Sequence, residues 1–212
     1  MSGVPIKPHS EPGSSSFEDP SAWKVFIKYR DRVTRSQFAK ASSYRARLQL
    51  VVGFRDLHLA NISLATAESY FVLMKLSLAY TTLEALESLL GKKSVRVTDK
   101  VFHAALSQGQ FDELLKHFIE AAKEQPRPTD AELTRFLSAP IPQDLTPIVK
   151  HSRHAVFHAS ATPNSLKLQG SPERRRLLLG LANSTIEACD KAFSRYVATM
   201  KQRPKGKPAV VG

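Results

Sequence analysis

The sequence predicts an all-α protein, a bundle of helices without a β-sheet. No proline occurs between residues 21 and 125, and so long an interval favours helices because proline is poorly tolerated in their interiors. Apolar residues recur every three to five positions from Phe71 to Leu90, where Gly91 then suits a helix end. No segment shows the period-two alternation typical of half-buried strands.

Seven helical stretches are predicted in chain order. Their starts carry recognisable signals, such as Ser171-Pro172-Glu173, where proline occupies a first helical turn. The predicted helices cover residues 21–58 (with a break near Ser42 and Ser43), 64–91, 98–107, 110–124, 129–138, 144–159 and 173–202.

The chain of 212 residues is expected to form one domain with two tails. With 42% hydrophobic residues it can fill a core over residues 21–200. Residues 1–20, rich in Ser and Pro, are expected to be disordered. Residues 201–212 contain four Lys or Arg, two prolines and no acid, a composition typical of a flexible basic tail.

The sequence predicts a cytoplasmic protein. Cys189 is the single cysteine and cannot form an internal disulfide. Residues 1–20 lack the apolar run of a signal peptide, and the most apolar predicted helix is interrupted by Lys75, Glu84 and Glu87. Neither secretion nor a membrane partner is therefore expected.

Positive charge is concentrated near the start of the chain. The formal net charge is +12, and residues 24–58 hold nine Lys or Arg against two Asp. Such a surplus is typical of a protein that binds a polyanion such as nucleic acid. The alternative is a solvated helix face whose charge serves solubility.

Common catalytic motifs are absent from the sequence. Gly-x-Gly-x-x-Gly, Gly-x-Ser-x-Gly and His-Glu-x-x-His do not occur. The run from Gly91 to Ser94 departs from a phosphate-binding loop, because Leu86 replaces the first glycine and Lys93 the Ser or Thr. Cys189 falls in a helical apolar pattern that indicates a buried thiol, and Trp23 is expected to hold the first helix on the core.

The segment 148–159 is the most informative part of the chain. His151, His154 and His158 occur within eight residues, together with Arg153. The three histidines would span roughly 10 Å of helix, too far for one tetrahedral metal ion, so only His154 and His158 could share one. Because the three histidines cannot bind one ion together, we assign no metal or other cofactor to this segment.

Without a metal, the same segment admits two roles. His⁺ and Arg interact well with a helix C-terminus, which would make the cluster purely structural. Alternatively, Arg and His could act together on a phosphodiester, the guanidinium binding the phosphate and the imidazole moving protons. RNA suits the second role because its own 2′-hydroxyl is the nucleophile.

The run Arg153-His154-Ala155-Val156-Phe157-His158 resembles the Arg-polar-x-x-x-His signature of the HEPN superfamily (higher eukaryotes and prokaryotes nucleotide-binding domain). In that family the motif lies late in a small all-helical bundle, after a long helical hairpin and before another long helix, as predicted here. Two features depart from the family pattern. Ala159-Ser160 follows the histidine, where Gly is frequent, and short helices are inserted over 98–138.

The resemblance implies a metal-independent endoribonuclease that works as a homodimer, with two motifs facing across a cleft. Its role would be that of a toxin or defence effector, with an antitoxin or effector-complex partner. His158 would act as general acid or base, Arg153 would stabilise the phosphate charge, and His154 would orient the site. We further predict RNA contacts from Arg45, Arg47 and Lys150.

Other members of the family bind partners without cleaving RNA. A non-catalytic helical module that binds nucleic acid or protein is therefore the alternative, and a scaffold within a larger assembly is the third hypothesis. Arg153 and His158 lie five residues apart, so they point about 140° apart on an ideal helix. The long arginine side chain, a distorted helix end or a second chain could close that gap.

Overall fold

A computed structural model describes residues 20–91, 95, 146, 149–150, 162–164 and 166–202. It confirms the all-α prediction, since the described part of the chain contains four α-helices and no strand. These helices are α1 (Pro20–Lys28), α2 (Arg35–Gly53), α3 (Leu64–Leu90) and α4 (Pro172–Lys201), with a 3₁₀ turn over Arg30–Arg32.

Several predicted segments lie outside the described residues. They are the tail 1–19, the short helices 98–107, 110–124 and 129–138, and residues 203–212. Of the predicted helix 144–159, the structure describes Thr146, Val149 and Lys150, all in helical conformation.

The helices α2 and α3 form an antiparallel hairpin. Near the turn, the Phe54 and Phe71 rings stack with centroids 5.1 Å apart. Further along, Arg47 of α2 contacts Thr81 of α3. Because these pairs run in opposite directions along the two helices, the start of α2 lies at the same end of the bundle as the end of α3.

The last helix, α4, packs against α3 and runs parallel to it. Arg175 at the start of α4 forms an ion pair with Glu68 at the start of α3. The end of α4 meets the 3₁₀ turn, where Arg32 contacts the carbonyl of Met200. The helix α1 packs on α4, so the first and the last helices of the described residues are in contact.

An aromatic cluster joins α1, α2 and α4. Phe193 of α4 is almost fully buried, and its ring centroid lies 5.0 Å from that of Tyr44, 5.8 Å from that of Phe26 and 6.2 Å from that of Trp23. The half-buried Trp23 also stacks on Phe26. The expectation that Trp23 holds the first helix on the core is thus confirmed.

The predicted break in the first helical stretch was wrong in position. Ser42 and Ser43 lie inside the continuous helix α2, and the break falls between Tyr29 and Thr34. At Thr34 the backbone is extended and a capping box starts α2, with Gln37 N donating to Thr34 Oγ1 and Thr34 N donating to Gln37 Oε1. These bonds satisfy backbone donors that a new helix leaves open, which fixes its start there.

The end of this stretch was also predicted too late. The helix α2 ends at Gly53 rather than at residue 58, and Phe54 is extended as it packs on Phe71. Glycine has low helix propensity, so Gly53 favours a helix end, and Phe54 stacks on Phe71 directly after it.

The boundaries of the two long helices agree with the sequence within one residue. Ser63 caps α3, and Gly91 ends it in the left-handed conformation with φ 73°. Ser171 caps α4, with Pro172 in its first turn. Of the described helices, none offers an apolar stretch long enough to cross a bilayer.

Replacing Thr34 with alanine is expected to lower the free energy of unfolding by about 1 kcal/mol, because the capping box loses its acceptor. Urea unfolding followed by circular dichroism measures the change. Thr34→Ser keeps the hydroxyl and serves as the control. Equal stability of the alanine and serine variants would contradict a capping role.

Candidate nucleic-acid interface

The motif itself lies outside the described residues. This applies to the predicted catalytic residues Arg153, His154 and His158, and to His151. The described residue nearest before it is Lys150, which is exposed and follows the fully buried Val149. Val149 thus packs in the core, and the side chain of Lys150 beside it is exposed.

Arg45 lies on the side of α2 that faces α1. Its guanidinium carbon is 4.6 Å from the centroid of the Trp23 ring, and the side chain is half-buried. A guanidinium over an indole face is a favourable cation–π arrangement. Arg45 therefore helps pack α1 on α2, and any contact with RNA would use the part of the side chain that stays exposed.

Arg47 lies on the other side of α2. Its Nη1 donates a hydrogen bond of 2.9 Å to the carbonyl oxygen of Thr81, which links α2 to α3 across the hairpin. Two residues turn an α-helix by about 200°, so Arg45 and Arg47 point to nearly opposite sides. The two arginines that were predicted to contact RNA thus lie on different sides of α2, and Arg47 is exposed.

Arg32 in the 3₁₀ turn binds the end of α4. Its Nη1 donates to the carbonyl oxygens of Met200, at 3.0 Å, and Lys201, at 3.2 Å. Its guanidinium also lies over the Tyr29 ring, 4.5 Å from the centroid. The last carbonyls of a helix lack partners within it and carry the negative end of the helix dipole, so a cation is well placed there.

Two arginines of α4 hold the segment that follows the motif. Arg175 Nη1 donates to the carbonyls of Leu168, at 2.6 Å, and Gln169, at 3.1 Å. Arg174 Nη1 donates to the carbonyl of Leu166 at 3.4 Å. Leu166 and Leu168 are buried, so this segment belongs to the core.

The ion pair of Arg175 with Glu68 ties the same segment to α3, with 3.1 Å between Nη2 and Oε2. Sequence reasoning missed this role. The run of three arginines at the start of α4 is visible in the sequence, but its backbone partners follow only from the folded chain.

Cys189 is fully buried in α4, which confirms the prediction of a buried thiol. Burial, with smaller contributions from Glu87 and Asp190, raises the pKa of the thiol well above its usual range, so it stays protonated at neutral pH. A protonated, inaccessible thiol is a poor nucleophile. Among the described residues, no three His, Cys, Asp or Glu side chains gather into a group that could hold a metal ion.

Comparisons with protein-family models, with curated proteins and with solved structures gave no match. The resemblance to the HEPN superfamily therefore depends on the residues of the motif and on their predicted helical context.

Proposed function

We propose that this protein is an endoribonuclease that binds RNA through its basic helices and cleaves it without a metal ion. The observation that carries the proposal is the motif from Arg153 to His158, in a chain whose described part is an all-α bundle. The positive charge of residues 24–58 supports RNA as the substrate, since its phosphates are the natural partner of such a surface.

The proposed reaction is attack of the RNA 2′-oxygen on the adjacent phosphorus. The 2′-hydroxyl loses its proton, the new 2′-O–P bond forms, and the P–O bond to the 5′-oxygen breaks. The 5′-oxygen takes up a proton, which leaves a 2′,3′-cyclic phosphate and a 5′-hydroxyl. No oxidant or further reactant is required.

The residues of the motif divide this work according to their chemistry. An imidazole can exchange protons near neutral pH, so His158 would take the proton from the 2′-hydroxyl or supply one to the leaving oxygen. The guanidinium of Arg153 stays charged and offers a planar pair of donors to the phosphate oxygens. His154 orients the site, and a second chain in a homodimer would supply the complementary residues.

We further propose that the protein acts on cytoplasmic RNA as a toxin or defence effector. An enzyme that needs neither metal nor cofactor is active wherever RNA is present. Its control then falls to a partner, such as an antitoxin or another member of an effector complex.

Incubation of the purified protein with RNA in excess EDTA tests the proposal. We expect fragments that end in 2′,3′-cyclic phosphate, produced at a rate that falls steeply on dilution if the active cleft needs two chains. Binding without fragments would contradict the proposal and favour a non-catalytic binding module. Cleavage that stops in EDTA and returns with one divalent metal would instead place a metal ion in the site.

A further inference from the structure

Four exposed cations meet at one end of the bundle. Lys28 ends α1, Arg30 lies in the 3₁₀ turn, Arg35 begins α2 and Lys201 ends α4. We call this group of four residues the basic end. The side chains come from four different elements and two distant parts of the sequence, so the fold alone brings them to the same end.

Arg32 keeps the basic end together. By donating to the carbonyls of Met200 and Lys201, it holds the last turn of α4 beside the turn that carries Arg30. Arg32 is half-buried, and its guanidinium is engaged by these carbonyls. Arg32 therefore acts as a positioning residue, while its neighbours leave their charges exposed.

Little acidic charge offsets the basic end among the described residues. Asp31 is exposed within the 3₁₀ turn, and the half-buried Glu87 lies in the last turn of α3. At the opposite end of the bundle, Asp56, Glu68 and Glu173 offset most of the charge of four arginines, which are Arg55, Arg174, Arg175 and Arg176, and Arg175 is paired directly with Glu68. Positive charge is thus less compensated at the basic end.

We propose that the basic end is the surface that holds the RNA strand by its phosphates. Taking RNA as the polyanion rests on the function proposed above. Cations spread over four elements form a surface rather than a pocket, which suits a polymer with repeating charges better than one small anion. The surface carries affinity and leaves sequence selection to other contacts.

The test compares two charge-reversed variants of the full chain. Arg30→Glu/Arg35→Glu changes the basic end, and Arg55→Glu/Arg176→Glu makes the same change in net charge at the opposite end. All four arginines are exposed. Glutamate in the first turn of a helix is favourable, so Arg35→Glu should preserve α2, and circular dichroism checks the fold of both variants.

The probe is a fluorescent 2′-O-methyl oligouridylate, which cannot be cleaved through its blocked 2′-oxygen. We expect the basic-end variant to bind roughly tenfold or more weakly at moderate salt, and the salt dependence of log K to become shallower by about 1.4 for two lost phosphate contacts. The control variant should bind like the unchanged protein. Because the probe is not cleaved, these results do not depend on catalysis by Arg153 and His158.

Equal affinity of the two variants would overturn the proposal, even if the protein cleaves RNA. A larger loss in the control variant would overturn it as well, by placing the RNA at the other end. Binding to phosphatidylserine vesicles without binding to the oligonucleotide would also overturn it, because the anionic partner would then be a membrane. If the unchanged protein does not cleave RNA but the basic-end variant still binds the probe more weakly than the control variant, only the proposed cleavage would be refuted.

Discussion

Replacing His158 with alanine is expected to abolish RNA cleavage while leaving RNA binding nearly unchanged. General acid–base catalysis by a positioned side chain contributes about a hundredfold or more to a rate, and alanine removes that contribution without changing the basic surface. Single-turnover cleavage of a labelled RNA measures the rate, and anisotropy with the uncleavable oligouridylate measures the affinity.

Two further substitutions separate the roles within the motif. Arg153→Lys keeps the charge but not the paired donors, so it should lose most of the activity if the phosphate is bound through both nitrogens. His154→Asn keeps a polar group and should be partly tolerated. Full activity of the His158→Ala variant would refute the assignment of cleavage to this motif. Equal damage from His154→Asn and His158→Ala, with inhibition by EDTA, would instead indicate a shared metal.

Replacing Phe193 with alanine is expected to lower the free energy of unfolding by about 3–5 kcal/mol, the range for large-to-small changes in a packed core. The ring contacts aromatic side chains from both α1 and α2, so its loss leaves a cavity where three helices meet. Urea unfolding measures the change. Arg195→Ala, an exposed position on the same helix, should stay within about 0.5 kcal/mol of the unchanged protein. A similar small loss for Phe193→Ala would show that the cluster does not hold α1 on the bundle.

The sequence predicted the long helices well because their ends carry local signals. Gly91 can adopt the left-handed conformation that closes α3, and Ser171 with Pro172 starts α4. The start of α2 carries an equally local signal in Thr34 and Gln37. Helical periodicity continues across this capping box, so a prediction based on periodicity alone placed the break at the serines further on.

The arrangement of the basic residues could be predicted only in part. Their number and their position in the chain are visible in the sequence, and so is the angle that separates Arg45 from Arg47 once both lie on one helix. Which arginines face backbone carbonyls is not visible. Arg32 binds carbonyls that become its neighbours only when α4 packs on the rest of the bundle, whereas Arg175 binds carbonyls of the turn just before its own helix.

The contact between Arg32 and Met200 joins residues separated by 168 positions in the chain. Closing so long a loop costs conformational entropy before any contact is gained, so this contact should form late in folding. During synthesis, α2 and α3 leave the ribosome before α4, so the side of α3 that α4 covers in the folded protein lacks this partner until α4 follows. We therefore expect the nascent chain to present this apolar side of α3 until α4 packs on it.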